Sequence, residues 1–225
     1  MEDFYKQSWQ GFLETLEADI FPYYREHEQS FDRWSVHGRM HIGRAVIFSE
    51  VMNQYYLRNT DQIPSSSAIR YAVAFHDAGR QGNGWDVWEE DSATLCAGYL
   101  EKILPPAEAH SIGLMISKKG KHTWNLDRRI VHDADVLEIM RPICGHGGRM
   151  GFRKGALRFL GKRDPEAIRN KQVRDQLIDQ AWFFIRETER NKEHFLGSKS
   201  LVQEFLGFLQ TNATNCPFLV EYLPV

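Results

Sequence analysis

The stretch Ala68-Ile-Arg-Tyr-Ala-Val-Ala-Phe-His-Asp-Ala-Gly-Arg80 constrains the fold more than any other part of the chain. It reads as a buried helix that ends by delivering His76 and Asp77 side by side. Ile69, Val73 and His76 fall on one helical stripe, so the imidazole emerges from the core face. Ser65-Ser66-Ser67 offers an N-cap and Gly79 a C-terminal stop. An imidazole and a carboxylate so placed suit two ligands of one divalent cation. A His-Asp dipeptide is a weak motif by itself, and a second stands at His132-Asp133. The functional reading therefore depends on companions elsewhere in the chain.

Other segments repeat the three-to-four-residue apolar spacing of helices, and none alternates as a half-buried strand does. Phe4, Trp9, Phe12, Leu13, Leu16 and Ile20 predict a helix over 3–26, bent or ended by Pro22. His41, Ala45, Phe48, Met52 and Tyr55 share a stripe of a helix over 38–58. Asp86 can cap a helix carrying Glu89, Glu90, Ser92, Leu95 and Tyr99. Shorter helices are expected over 107–117, after Pro105-Pro106, and over 126–140. Asp164-Pro165-Glu166 is a strong start signal for a helix running to His194. Ser198 caps a last one through Leu201, Val202, Phe205 and Phe208, and the aromatic stripes there read as core or a dimer face. The expected fold is all-α: a single-domain helical bundle over 1–225, with its motifs in 35–140 and C-terminal helices of 150–210 packed on them.

A chain of 225 residues can bury a sizeable core as one domain. Its net charge of −2 gives no global basic field for nucleic acid. Cys96, Cys144 and Cys216 are scattered, which favours a reducing compartment over a disulfide framework or a cysteine zinc site. The acidic, polar start does not look like a signal peptide, and no apolar run approaches the roughly 18 residues needed to span a membrane. A soluble, cytoplasmic protein is expected.

Four segments carry candidate chemistry. His37-Gly-Arg-Met-His41 sets two imidazoles one helical turn apart. His76-Asp77 is the second, Asp86-Val-Trp-Glu-Glu-Asp-Ser92 the third, and His132-Asp-Ala-Asp135-Val-Leu the fourth. One His, a His-Asp pair and a distant Asp give two nitrogen and two oxygen ligands without sulfur. That set suits an open site for one divalent ion (Mn, Fe, Co, Ni, Zn or Mg) that would activate water.

The order H…HD…D over 35–140 resembles the HD-domain superfamily of metal-dependent phosphohydrolases. The resemblance implies His41, His76, Asp77 and Asp135 as metal ligands. Asp135 is preferred to Asp133 because the family's last ligand sits in an Ala-Asp-x-Leu context, here Ala134-Asp135-Val136-Leu137. His-x-x-x-His-x-x-x-Ala is also similar to the cyclic-nucleotide phosphodiesterase version, in which the first histidine, here His37, protonates the leaving oxygen.

A second resemblance is to the phosphodiesterase domain of bacterial effectors that act on phosphoribosyl-ubiquitin. It rests on His37-Gly-Arg-Met-His41, Phe75-His-Asp-Ala-Gly-Arg80, Trp88-Glu-Glu-Asp-Ser92 and His132-Asp-Ala-Asp-Val-Leu137. It implies His37, Glu90 and His132 as working residues on a phosphodiester, with little or no metal role. Glu90 is preferred to Glu89 because it lies two before Ser92.

Phosphate oxygens need positive charge. Arg80 is the first candidate, since its fork can hold a phosphate bidentately, followed by Lys118 and Arg149. The expectation is a phosphohydrolase cleaving a phosphate ester or diester of a small, nucleotide-like or phosphoribosyl substrate. Asp77 would orient or deprotonate water and His37 would act as acid. The alternatives are a metal-independent diesterase using His37, His132 and Glu90, and a nucleotide-binding module without turnover.

Overall fold

The structure is a computed structural model that describes residues 2–33, 35–82, 87–117, 125–138 and 170–224. Among these residues it is all-helical, as expected. The helix expected over 3–26 is broken. Helix α1 spans Glu2–Tyr5, and α2 spans Trp9–Thr15, where the Ser8 hydroxyl accepts from Gly11 N at 3.0 Å. A π-turn at Leu16–Ile20 follows, then α3 at Phe21–Ser30. Pro22 lies in the first turn of α3, where no N–H is needed, so it starts a helix rather than ending one. These breaks let Phe12, Leu16, Ile20, Phe21 and Tyr24 all reach the core. Tyr24 also donates to the Ala74 carbonyl at 2.7 Å.

Helix α4, Arg39–Asn59, is deeply enclosed, with every residue from Met40 to Asn53 buried. Its two buried charges are both paired. Glu50 holds Arg70 through two bonds of 2.7 Å, and Arg70 also lies over the Trp9 ring. Arg44 is held from the far side of the molecule. Helix α5, Ser66–Phe75, packs on α4 and is buried from Ser67 onward. Burying side chains such as Ile69 or Phe75 stabilises the fold by roughly 1.5–3 kcal/mol each.

Helix α5 stops at Phe75, and His76 and Asp77 stand in the turn that follows. Gly79 is therefore not the residue that stops it. Its role is close approach: a Cβ there would lie 2.4 Å from the backbone N of Ser92. Helix α6, Glu89–Leu100, begins at that contact, and the expected cap, Asp86, lies outside the described residues. Helix α7 spans Pro106–Gly113, shorter than expected because the chain leaves it in turns at 114–116. Helix α8, Leu126–Glu138, crosses both α4 and α5.

The C-terminal part holds α9 (Lys171–Arg190), α10 (Lys192–Gly197), α11 (Leu201–Thr211) and α12 (Pro217–Glu221). The helix expected to reach His194 is interrupted at Asn191, and the expected start at Asp164 lies outside the described residues. Ser200, not Ser198, occupies the N-cap position of α11, while the Ser198 hydroxyl accepts from Ser200 N. Phe184 and Phe205 are fully buried and Trp182 nearly so, which makes that stripe core. Cys96 and Cys216 are buried free thiols. No described helix is long and apolar enough to cross a membrane.

Candidate active site

The loop before α4 is built to hold His37. Asp32, fully buried, accepts from the backbone N–H groups of Val36 and His37 at 2.8 Å each. Ser35 sits at φ 49°, a left-handed conformation uncommon for a residue with a Cβ. Its hydroxyl donates to Glu28 and accepts from Met40 N, while Glu28 also accepts from Arg39 N. Two donors at the start of α4 thus find partners in side chains outside that helix.

From this loop the His37 ring meets the His76-Asp77 turn. Its Nδ1 lies 2.8 Å from Asp77 Oδ2, and Arg80 Nη2 lies 3.2 Å from its Nε2. A guanidinium can only donate. Nε2 is therefore the accepting nitrogen, and Nδ1 carries the ring proton toward Asp77. Arg80 also reaches Asp77 Oδ1 at 3.4 Å and is only 3% exposed.

The other two imidazoles meet tip to tip. His41 Nε2 and His76 Nε2 are 2.8 Å apart. His76 Nδ1 lies 2.6 Å from the Val73 carbonyl, which can only accept, so this nitrogen is protonated. Asp135 Oδ1 is 3.4 Å from both Nε2 atoms, and Asp77 Oδ2 is 3.5 Å from His41 and 4.0 Å from His76. Burial opposes a charged His76, but Asp77 and Asp135 outweigh it and push its pKa up to about 9. Burial likewise opposes the ionised Asp77, yet His76, His37 and His41 hold it well below the usual carboxylate range. Partial desolvation works against an ionised Asp135, whose side chain is 44% exposed, and His76 and His41 hold its pKa low.

The donor set is compatible with a divalent cation. One donor atom each from His41, His76 and Asp77 lie within 4.8 Å of one another. Two ligand atoms bonded at about 2.1 Å to one ion lie about 3.0 Å apart at a right angle and about 3.4 Å at a tetrahedral one. The separations here bracket those values. Both rings also turn Nε2 inward, and His76 Nδ1 meets the Val73 carbonyl, the kind of partner that orients metal-binding histidines. His41 Nδ1 lies at an ion-pair separation of 3.5 Å from Glu138 Oε2.

The structure thus brings together His37, His41, His76, Asp77, Arg80 and Asp135. Glu90, in the first turn of α6, accepts a hydrogen bond from the buried Ser117, whose carbonyl in turn accepts from Arg128. His132 stands one turn before Asp135 on α8, with Nδ1 2.8 Å from Asp133 Oδ1. Asp133 Oδ2 accepts from both the backbone and the side-chain nitrogen of Asn170 at 2.7 Å. Lys118 and Arg149 lie outside the described residues.

Glu138 and Arg44 escaped sequence reasoning. Arg44 donates to Glu138 at 2.6 Å, to Glu189 at 2.7 Å and to Thr188 at 3.0 Å. A signal existed: Arg44 follows His41 by three residues and Glu138 follows Asp135 by three, so each shares a helical face with a candidate ligand.

Imidazoles, carboxylates and a guanidinium gathered on a helical frame are the equipment of an enzyme that works on phosphate esters. Comparison with known families makes the class definite. Residues 22–192 match the SidE phosphodiesterase (PDE) domain, and the chain belongs to that family of phosphodiesterase domains. No curated protein and no solved structure matches it.

Proposed function

We propose that the chain cleaves a phosphodiester of a nucleotide-like or phosphoribosyl substrate at a centre formed by His37, Asp77 and Arg80. The observation that carries this reading is the state of His37: its proton faces Asp77 and its Nε2 lone pair faces Arg80. An incoming phosphate oxygen would take the Arg80 N–H from His37, bringing phosphorus and the freed lone pair together. That lone pair then accepts a proton from attacking water or bonds to phosphorus itself, and Asp77 balances the charge the ring acquires. Arg80 would neutralise charge on the phosphate oxygens. In this arrangement His37 has no Nε2 proton to give, so the role of leaving-group acid passes to His132. Glu90 would hold the non-reacting part of the substrate.

The convergence of His41, His76, Asp77 and Asp135, in the order of the HD-domain superfamily, favours a second element of the same reading. These four would hold one divalent cation, which when bound would polarise a phosphoryl oxygen and lower the pKa of a nearby water. Calorimetric titration with Mn²⁺ should show one site that His41→Ala and Asp135→Ala each abolish.

The test of the function is turnover of phosphodiester and phosphomonoester panels by wild type, His76→Ala and Asp77→Ala, with and without chelator. Diester cleavage lost in both variants is expected. Full turnover by protein shown metal-free by elemental analysis would assign the chemistry to His37, Glu90 and His132 alone. Tight nucleotide binding without turnover would mark a binding module and end the enzymatic reading.

A further inference from the structure

We infer that Asp133, Asn170 and Tyr56 form a buried relay that fixes the orientation and tautomer of His132 for proton donation to the leaving oxygen. This inference rests on the diesterase reading above and assigns residues that reading does not use. Asp133 is fully buried, and Asn170 and Tyr56 are each 1% exposed. The Tyr56 hydroxyl donates to Asn170 Oδ1 at 2.7 Å, which turns the Asn170 amide nitrogen toward Asp133 Oδ2. The Asn170 backbone N–H donates to the same oxygen. With Oδ2 accepting from both nitrogens, Oδ1 is left to take the Nδ1 proton of His132 at 2.8 Å. Nε2 is thereby reserved as the proton-exchanging edge, and about a quarter of the His132 side chain stays exposed.

The chain thus holds two Asp–His dyads built alike, His37–Asp77 and His132–Asp133. In each, a carboxylate takes the Nδ1 proton and would stabilise the imidazolium form. The first accepts a guanidinium N–H at Nε2. The second receives a proton there and delivers it: the Nε2–H bond breaks as the O–H bond of the departing alcohol forms. Asp133 is a positioning residue in this scheme, since it acts only through His132.

The same contacts also tie the residue before α9 to α8, so loss of activity alone would not separate the two roles. Asp133→Asn separates them. An amide oxygen can still accept from Asn170, whereas its NH₂ would donate to His132 Nδ1 and shift the ring proton to Nε2. Two substrates complete the test. Bis(p-nitrophenyl) phosphate releases a phenolate that needs little protonation, and a methyl diester of ribose 5-phosphate releases an alkoxide that needs it. Asp133→Asn should lower kcat on the methyl diester by about 100-fold with KM little changed, and on the nitrophenyl diester by no more than about threefold. Nitrogen-15 NMR should show His132 protonated on Nδ1 in wild type and on Nε2 in the variant. Asn170→Ala, which removes one of the two donors to Asp133 Oδ2, should lower thermal stability and also lower kcat on the methyl diester more than on the nitrophenyl diester. Equal losses on both substrates, or a neutral His132 in wild type whose single ring proton sits on Nε2, would overturn the inference. If wild type turns over neither diester, the diesterase reading fails on its own, and the NMR tautomer still decides the orientation.

Discussion

At the residue scale, the account turns on which nitrogen of each imidazole holds a proton. Val73 settles this for His76, and Arg80 with Asp77 settles it for His37, because a carbonyl cannot donate and a guanidinium cannot accept. None of this could be read from the sequence, which supplies the ring but not its neighbours. What was legible was membership of the cluster: His41, the adjacent His76 and Asp77, and Asp135 lie at three separate places in the chain, and their side chains meet. A histidine outside the cluster supplies a test of stability. His27 packs between Tyr24 and Phe31, and burial lowers its pKa. The native state then binds fewer protons than the unfolded chain just below pH 6.5, so stability should fall as pH drops through that window. His27→Phe should flatten the dependence of the urea midpoint between pH 7 and 5. An unchanged slope would assign the acid sensitivity to other groups.

At the scale of elements, long periodic stretches were legible and their ends were not. Helix α4 runs within a residue of its expected span because its apolar stripe is unbroken. The expected helix over 3–26 fails because periodicity does not register the Ser8 cap or the π-turn at Leu16–Ile20. Gly79 was read as a helix stop, whereas its position is fixed by tertiary contact. A Cβ there would meet Ser92 N at 2.4 Å and the Asp91 carbonyl carbon at 2.6 Å, both backbone atoms that cannot swing away. Gly79→Ala should therefore cost about 1–3 kcal/mol and push α6 from the His76-Asp77 turn. Chemical denaturation measures the first effect, and a fall in turnover larger than that stability loss explains would report the second. Wild-type stability in the variant would mean the two elements are looser than described.

Over the whole molecule, the C-terminal helices reach the candidate site through Arg44. The sequence offered no motif there, because the link is a buried ion pair between residues 145 apart and not a local pattern. Arg44 stands on α4 between Glu138 of α8 and Glu189 of α9, with Glu138 facing His41. Desolvation is the largest influence on its charge, and the two carboxylates more than offset it, raising its pKa. Arg44→Ala should destabilise the fold by about 3–5 kcal/mol, because it leaves buried carboxylates without their partner. Replacing Arg44, Glu138 and Glu189 together with apolar residues of similar volume should cost less, since the unpaired charge is then gone. Equilibrium unfolding of both variants checks this, and equal losses would point to packing.

The central claim is that His37, with its Nδ1 proton toward Asp77 and its Nε2 lone pair toward Arg80, begins the chemistry. Single-turnover cleavage of a ribose 5-phosphate diester by wild type and His37→Ala tests it most directly. A rate about 1000-fold lower in a variant that unfolds at the wild-type temperature is the predicted result. A folded His37→Ala protein that cleaves the diester at the wild-type rate would contradict it.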